Sequence, residues 1–91
     1  MKYMVSFPLD SATFKERVKR FLETGGAPPD GVTMLRRWHA LGGSEAFVLA
    51  ETDDPKGIYR WISLWADLIE FDVVPVLNDQ DAAANLQELK L

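Results

Sequence analysis

The sequence of 91 residues contains no cysteine and only one histidine. The absence of cysteine excludes disulfides, thiolate zinc sites, iron–sulfur clusters and a cysteine nucleophile. A metal site would have to be built from carboxylates, and no acidic segment has the spacing of a calcium-binding loop. We therefore expect neither a metal nor a cofactor.

Excess positive charge is also lacking, because ten lysines and arginines face fourteen aspartates and glutamates and leave a net charge of −4. An acidic chain opposes the phosphate neutralisation that dominates affinity for nucleic acids. The first ten residues, MKYMVSFPLD, are too polar, and their apolar stretch too short, for a signal peptide or a membrane span. We expect a cytoplasmic protein that binds neither nucleic acid nor membranes.

The composition is that of a folded protein, with 47% hydrophobic and 26% charged residues. At this length we expect one domain spanning residues 1–91. A chain so short buries only about 60 to 65% of the surface that its unfolded form exposes. Burial of surface against a partner subunit would therefore add to the stability of the chain.

Hydrophobic periodicity predicts the element order β-α-β-β-α-β followed by a terminal helix. The predicted strands cover residues 2–7, 32–41, 44–52 and 69–77. One helix begins after Asp10 or Ser11 and stops at Gly25-Gly26, a second begins at Asp54-Pro55, and Asn78 or Asp79 caps the tail helix. This order is the ferredoxin-like pattern, an α+β fold in which two helices cover one face of an antiparallel sheet.

The distribution of charge assigns the strands to positions in that sheet. The first and third strands are nearly continuous apolar runs, which is typical of central strands, whereas the second and fourth carry charge and suit the edges. The charged residues and the histidine on the predicted edge strands are Arg36, Arg37, His39, Glu70 and Asp72.

The sheet face turned away from the helices is predicted to be apolar. The third strand, with the run AFVLA, presents hydrophobic side chains to both faces. Because a contiguous exposed apolar patch commonly marks an interface or a ligand groove, we expect a homodimer that forms through this open face. The tail helix would cover the partner.

Candidate site residues flank the predicted hairpin turn at Gly42-Gly43. His39 is the residue type best suited to proton transfer near neutral pH, and Arg37 on the same face offers a planar fork for a carboxylate or phosphate. Glu70 and Asp72 share a face of the fourth strand. We expect Arg37, His39, Glu70 and Asp72 to bind a ligand in a cavity on the open face, with His39 as a candidate catalytic residue.

Each of these residues also has a structural interpretation. His39 could donate to a nearby carbonyl at the hairpin end, and edge-strand charges discourage sheet aggregation. Trp38 points to the sheet face opposite to that of Arg37 and His39. If those two face the cavity, Trp38 is predicted to pack in the core beneath the helices. Trp61 and Trp65 lie on the apolar face of the second helix, where core packing is favoured over stacking on a ligand.

The motifs of the chain resemble those of a family of short bacterial proteins known only as a domain of unknown function. The matching segments, which include an RWHALGG signature, are Arg37-Trp38-His39, Glu51-Thr52-Asp53-Asp54, Trp65-x-Asp67-Leu68 and Pro75-Val76. By fold the chain is similar to the dimeric α/β-barrel superfamily, which includes cofactor-independent monooxygenases, isomerases and haem-binding members. The haem-binding relatives use a histidine on a helix or loop, whereas His39 is predicted in a strand, so the resemblance does not extend to haem.

Three functions remain open from the sequence. The first is a homodimeric domain whose cavity binds a small organic, anionic molecule. The second is a cofactor-independent isomerase or monooxygenase in which His39 moves a proton and Arg37 stabilises an enolate-like charge. The third is a structural or regulatory dimer without a ligand.

Overall fold

Four strands form one antiparallel sheet in the computed structural model, which describes residues 1–91. They are β1 (Lys2–Pro8), β2 (Val32–His39), β3 (Glu45–Thr52) and β4 (Asp72–Val76). The strand order is β2-β3-β1-β4. The apolar strands β1 and β3 are therefore central and the charged strands β2 and β4 form the edges, as predicted, and the fold is ferredoxin-like.

The first helix, α1 (Phe14–Thr24), follows a single 3-10 turn at Ser11–Thr13. Asp10 caps this turn, because its Oδ1 accepts a hydrogen bond from the Ala12 N–H at 2.8 Å. The helix ends at Gly25, whose φ of 68° is the left-handed conformation that glycine adopts at low cost. The predicted end of this helix is confirmed, whereas its start lies later than predicted, at Phe14, and Asp10 caps the 3-10 turn that precedes it.

The second helix, α2 (Lys56–Ser63), begins after Asp54, whose Oδ1 accepts a hydrogen bond from the Lys56 N–H at 3.0 Å. Turns continue the helix, and the Ile69 N–H still donates to the Trp65 carbonyl at 3.0 Å. Strand β4 therefore begins at Asp72, three residues later than the predicted start at residue 69.

The core lies between the sheet and the two helices. Alternate residues of β3 point toward the helices and are buried, while the residues between them are partly exposed on the open face. The buried hydrophobic cluster comprises Val5, Val32, Val48, Ala50, Ile58 and Trp61. The close approach of α2 to β2 depends on Gly57, because a Cβ there would lie 2.7 Å from Val32 Cγ2.

A bulge interrupts β2 between Met34 and Arg36. Met34 pairs with Ala50 and Arg36 pairs with Leu49, so Leu35 is an extra residue opposite the continuous strand β3. Alternation before the bulge points Met34 toward the helices. Alternation after it points Arg37 and His39 toward the helices and Arg36 and Trp38 toward the open face.

The tail helix α3 (Asp79–Leu86) makes little contact with the rest of the chain. Asn78 caps it by accepting a hydrogen bond from the Asp81 N–H at 2.8 Å, and every residue of the helix except Ala82 is exposed. The radius of gyration is 15.5 Å. That value exceeds the roughly 12 Å of a compact domain of this length, as expected when one element does not pack on the core. None of the helices is long and apolar enough to cross a membrane.

Candidate ligand-binding cavity

A cavity of about 340 Å³ lies between the sheet and helices α1 and α2. Of its 19 lining residues, 14 are hydrophobic. Six of them supply aromatic rings, namely Phe7, Phe14, Phe21, Trp61, Trp65 and Phe71. The size and the apolar lining are those of pockets that hold small organic molecules.

The polar side chains that line this cavity are all basic. They are Arg17, Arg37 and His39, and no lining residue carries a carboxylate. Neither arginine forms an ion pair, since the ion pairs of the molecule are Lys2–Glu51 at 3.1 Å and Arg20–Asp67 at 2.8 Å. The cavity is thus an electropositive region in a protein of net charge −4.

Arg37 holds the end of α1 against the sheet. Its Nη1 donates to the Gly25 carbonyl at 3.0 Å, its Nη2 donates to the Gly26 carbonyl at 2.6 Å, and its guanidinium lies 5.2 Å from the Phe21 ring centroid. The approach requires the missing side chain of Gly26, because a Cβ there would lie 3.0 Å from Nη2. Burial lowers the pKa of Arg37. The guanidinium remains charged at neutral pH, and three of its five N–H donors stay free for other acceptors.

His39 lies at the mouth of the cavity. Three lining residues are exposed there, namely Phe14, His39 and Gly43. The imidazole packs edge-on against the Phe21 ring, with centroids 5.8 Å apart and an interplanar angle of 80°. The nitrogens of the ring are not within ion-pair distance of any carboxylate. His39 therefore has no acid or base partner among the carboxylates.

Of the four predicted site residues, the structure brings Arg37 and His39 together but not Glu70 and Asp72. Asp72 pairs with Ser6 and shares its side of the sheet, the open face. Glu70 is exposed and precedes β4. The prediction that all four share a pocket is wrong, because Asp72 alternates to the face opposite the cavity.

The predicted locations of the cavity and of Trp38 are also wrong. The cavity lies on the helix side of the sheet, and Trp38 lies on the open face with 48% of its surface exposed. The bulge at Leu35 is the reason, since one extra residue reverses the face of every later residue in β2. The alternation of Trp38 against Arg37 and His39 was predicted correctly, and only the face was reversed.

Sequence reasoning did not single out Arg17, the third basic group of the cavity. Its Nε donates to Thr13 Oγ1 and its Nη2 to the Asp10 carbonyl, both at 3.2 Å, and its guanidinium lies 5.7 Å from the Phe14 ring centroid. The signal was its helical spacing. Arg17 is three residues after Phe14 and four before Phe21, which places it beside the apolar stripe of α1.

The sheet order, the two helices on one face and the cavity between them define a ferredoxin-like α+β domain with an apolar pocket between sheet and helices. The model of the family described as Domain of unknown function (DUF3303) matches residues 1–90, and the chain belongs to this family. A search of the curated proteins found no match.

Among solved structures, the chain is similar to the crystal structure of a proposed antibiotic biosynthesis monooxygenase from Deinococcus radiodurans. The two are 6% identical in sequence, the match covers 85% of this chain and 92% of that chain, and the TM-score is 0.49. That name attributes the activity to the Deinococcus protein. The fold of this chain rests on its own strand order.

Proposed function

We propose that the protein binds a small apolar molecule carrying one anionic group in the cavity between the sheet and the helices. The observation that supports this proposal is the composition of the cavity wall. Fourteen hydrophobic residues surround the space, and every charged or titratable side chain at its surface is basic. A ligand of this class would place its apolar body against the aromatic rings and its anion near the guanidinium groups.

The electrostatics favour an anion over a cation. Arg17 and Arg37 donate to carbonyl and hydroxyl oxygens but not to a carboxylate, so their positive charge is not neutralised inside the cavity. Charge interactions are stronger at a partly buried, apolar site than in bulk water. A carboxylate would gain charge-assisted hydrogen bonds from the free guanidinium N–H groups, and an ammonium group would be repelled.

Binding is favoured over catalysis by the surroundings of His39. No carboxylate lies within ion-pair distance of His39 to orient its imidazole as a general base. Arg37 is positioned by the two carbonyls at the end of α1. This geometry gives Arg37 a structural role and leaves its remaining donors for a ligand.

We also propose that two copies associate through the open face. That face carries apolar side chains which the chain itself leaves partly or largely exposed, namely Met4, Trp38, Phe47, Leu49 and Val74. Burying such a patch stabilises a complex by about 25 cal/mol per Å² of apolar area before the costs of association. The exposed leucines of the tail, Leu86 and Leu89, would gain cover on the partner. We further propose that the dimer is cytoplasmic.

The ligand proposal is tested with three probes that share one apolar body and differ in charge. They are 2-naphthoate, 2-naphthylmethanol and 2-naphthylmethylammonium, each titrated while the midpoint of thermal unfolding is measured. We expect 2-naphthoate to stabilise the protein most, by about 2.7 kcal/mol when its concentration is a hundred times Kd. The alcohol should bind more weakly and the ammonium least. No stabilisation by any probe, or strongest binding of the cation, would contradict the proposal.

Two variants on neighbouring residues locate the binding. Ala46 lines the cavity and is buried, whereas Phe47 points to the open face. Ala46→Leu adds three carbons to the cavity and should abolish the stabilisation by 2-naphthoate. Phe47→Leu should retain it.

Arg17→Gln should reduce the preference for the anion over the alcohol by about tenfold, the usual contribution of one charge-assisted hydrogen bond.

A further inference from the structure

The pairing register arranges the open face as three rows across the sheet. In the strand order β2, β3, β1, β4, the first row consists of Trp38, Phe47, Ser6 and Asp72. The second row consists of Arg36, Leu49, Met4 and Val74. The third row consists of Thr33, Glu51, Lys2 and Val76. The centre of this grid is apolar. Arg36 lies at the β2 edge and Asp72 at the β4 edge, and Lys2 and Glu51 form an ion pair between the central strands.

Two copies that meet face to face about a twofold axis have two aligned arrangements, because the axis must lie in the plane between the sheets. An axis across the strands places each strand over the same strand of the partner. Arg36 would then face its own copy, and Glu51 would face the apolar ring of Phe47. Both contacts are unfavourable, since one opposes like charges and the other buries a carboxylate against a hydrophobic group.

An axis along the strands gives complementary contacts in the second and third rows, while in the first row it places Asp72 over Trp38 and Ser6 over Phe47. Strand β1 then lies over β3 of the partner, and β2 lies over β4. Lys2 meets Glu51 in the third row, and Leu49 meets Met4 in the second. Arg36 meets Val74, and Asp72 is the next residue on the same face of that strand, about 6.6 Å further along. An arginine side chain spans that offset.

We propose that the open face associates with a second copy about a twofold axis parallel to the strands, and that two symmetric ion pairs between Arg36 of one copy and Asp72 of the other fix this register. The inference rests on the proposed dimer and specifies its geometry. A homodimer of this kind is self-complementary, because each edge of the face carries the charge that the opposite edge requires.

Charge reversal tests the register. Arg36→Asp places two acidic groups at each contact, and Asp72→Arg places two basic groups there, so each variant should weaken its own homodimer. We expect the dimer dissociation constant, measured by sedimentation velocity, to rise by about tenfold or more for each variant. An equimolar mixture of the two variants restores opposite charges at both contacts. Native mass spectrometry should then show the heterodimer as the main dimeric species, with a dissociation constant within about threefold of the wild type.

Two control variants separate this effect from net charge. Lys19 and Glu23 are exposed on α1, away from the open face. Lys19→Asp and Glu23→Arg change the net charge by the same amounts and should leave dimerisation unchanged. Far-ultraviolet circular dichroism should show all four variants folded.

The outcomes distinguish the register from the dimer itself. A wild type that stays monomeric at high concentration overturns the dimer and this inference together. A dimeric wild type whose two variants dimerise normally, or whose mixture forms no heterodimer, overturns only the pairing of Arg36 with Asp72. Weakened homodimers and a restored heterodimer support it.

Discussion

The two faces of the sheet are built from the same strands but have different surroundings. In β3, Val48 points toward the helices and is 4% exposed, while its neighbour Leu49 points to the open face and is only partly buried. The helix side encloses a cavity with an apolar wall and basic polar groups. The other side is an apolar surface with opposite charges at its two edges. The proposed ligand site and the proposed subunit interface therefore use adjacent residues of one strand.

The difference between the faces depends on one inserted residue. Leu35 shifts the alternation of β2, so that the Arg37 and His39 side chains point into the cavity and Arg36 and Trp38 point away from it. Without that bulge the two pairs would exchange faces. Neighbouring residues of β2 thus point to different faces of the sheet, which allows matched pairs of variants.

The largest contrast is expected between two tryptophans. Trp61 is 8% exposed in the core and lines the cavity, whereas Trp38 is 48% exposed on the open face. Trp61→Ala should lower the free energy of unfolding by about 3 to 5 kcal/mol in urea titrations, because it removes a buried aromatic side chain. Trp38→Ala should change the stability of the monomer by less than half as much and instead weaken dimerisation. Equal losses of monomer stability would contradict the assignment of the two faces.

A second contrast concerns the close packing on the helix side. In the Gly57→Val variant, the new Cβ would lie 2.7 Å from Val32 Cγ2, so α2 would have to move away from β2. We expect the free energy of unfolding to fall by about 1 to 3 kcal/mol, the usual cost of overpacking a core. Gly42→Val is the control, since no atom lies within 4 Å of its Cβ position. Differential scanning calorimetry should show a clear decrease in Tm for the first variant only.

Adjacent arginines on opposite faces should behave differently. Arg37→Met removes two hydrogen bonds to the end of α1, and we expect a loss of about 1 to 2 kcal/mol in the stability of the monomer. Arg36 is exposed, and its side chain donates only to the Leu35 carbonyl. Arg36→Met should change monomer stability by less than about 0.5 kcal/mol. Urea unfolding at a concentration that keeps the protein monomeric checks both values, and the reverse ranking would refute the role of the bulge.

The smallest effect is a pH dependence on the helix side. Asp67 accepts two hydrogen bonds from Arg20 at 2.8 Å, and this pairing lowers the pKa of Asp67 below its ordinary value of 3.8. A lowered folded-state pKa adds stability above the unfolded value, and that stability is lost as the pH falls through the folded value. Below about pH 4, the free energy of unfolding measured in urea should fall in the wild type. In Asp67→Asn it should fall less steeply with decreasing pH. The pair is exposed to solvent, so the difference should be small. If both proteins lost stability equally as the pH fell, the Asp67–Arg20 pair would contribute nothing to stability.

Much of the fold could be predicted from the sequence because its signals are local. The apolar runs of β1 and β3 indicate central strands, and Asp10, Gly25 and Asn78 mark helix ends through their own backbone chemistry. The start of β4 was predicted too early, because the turn after α2 retains a helical hydrogen bond as far as Ile69.

The site was harder to predict because it depends on pairing between distant segments. No local pattern distinguishes Leu35 as a bulged residue, and the prediction therefore placed Arg37 and His39 on the wrong side of the sheet. Glu70 and Asp72 were grouped with them by nearness to one end of the sheet, which does not specify a face. Arg17 was missed because a charged residue beside an apolar stripe is usually a solvated side chain.

The proposed ligand site is tested most directly by the face of the sheet that a bound probe contacts. We propose to measure intermolecular nuclear Overhauser effects between 2-naphthoate and the methyl groups of Val48 and Leu49, which are adjacent in β3 and point to opposite faces. A ligand bound in the cavity gives contacts from the naphthyl protons to Val48 and none to Leu49. Contacts to Leu49 without contacts to Val48 would place the ligand on the open face and contradict the proposed site.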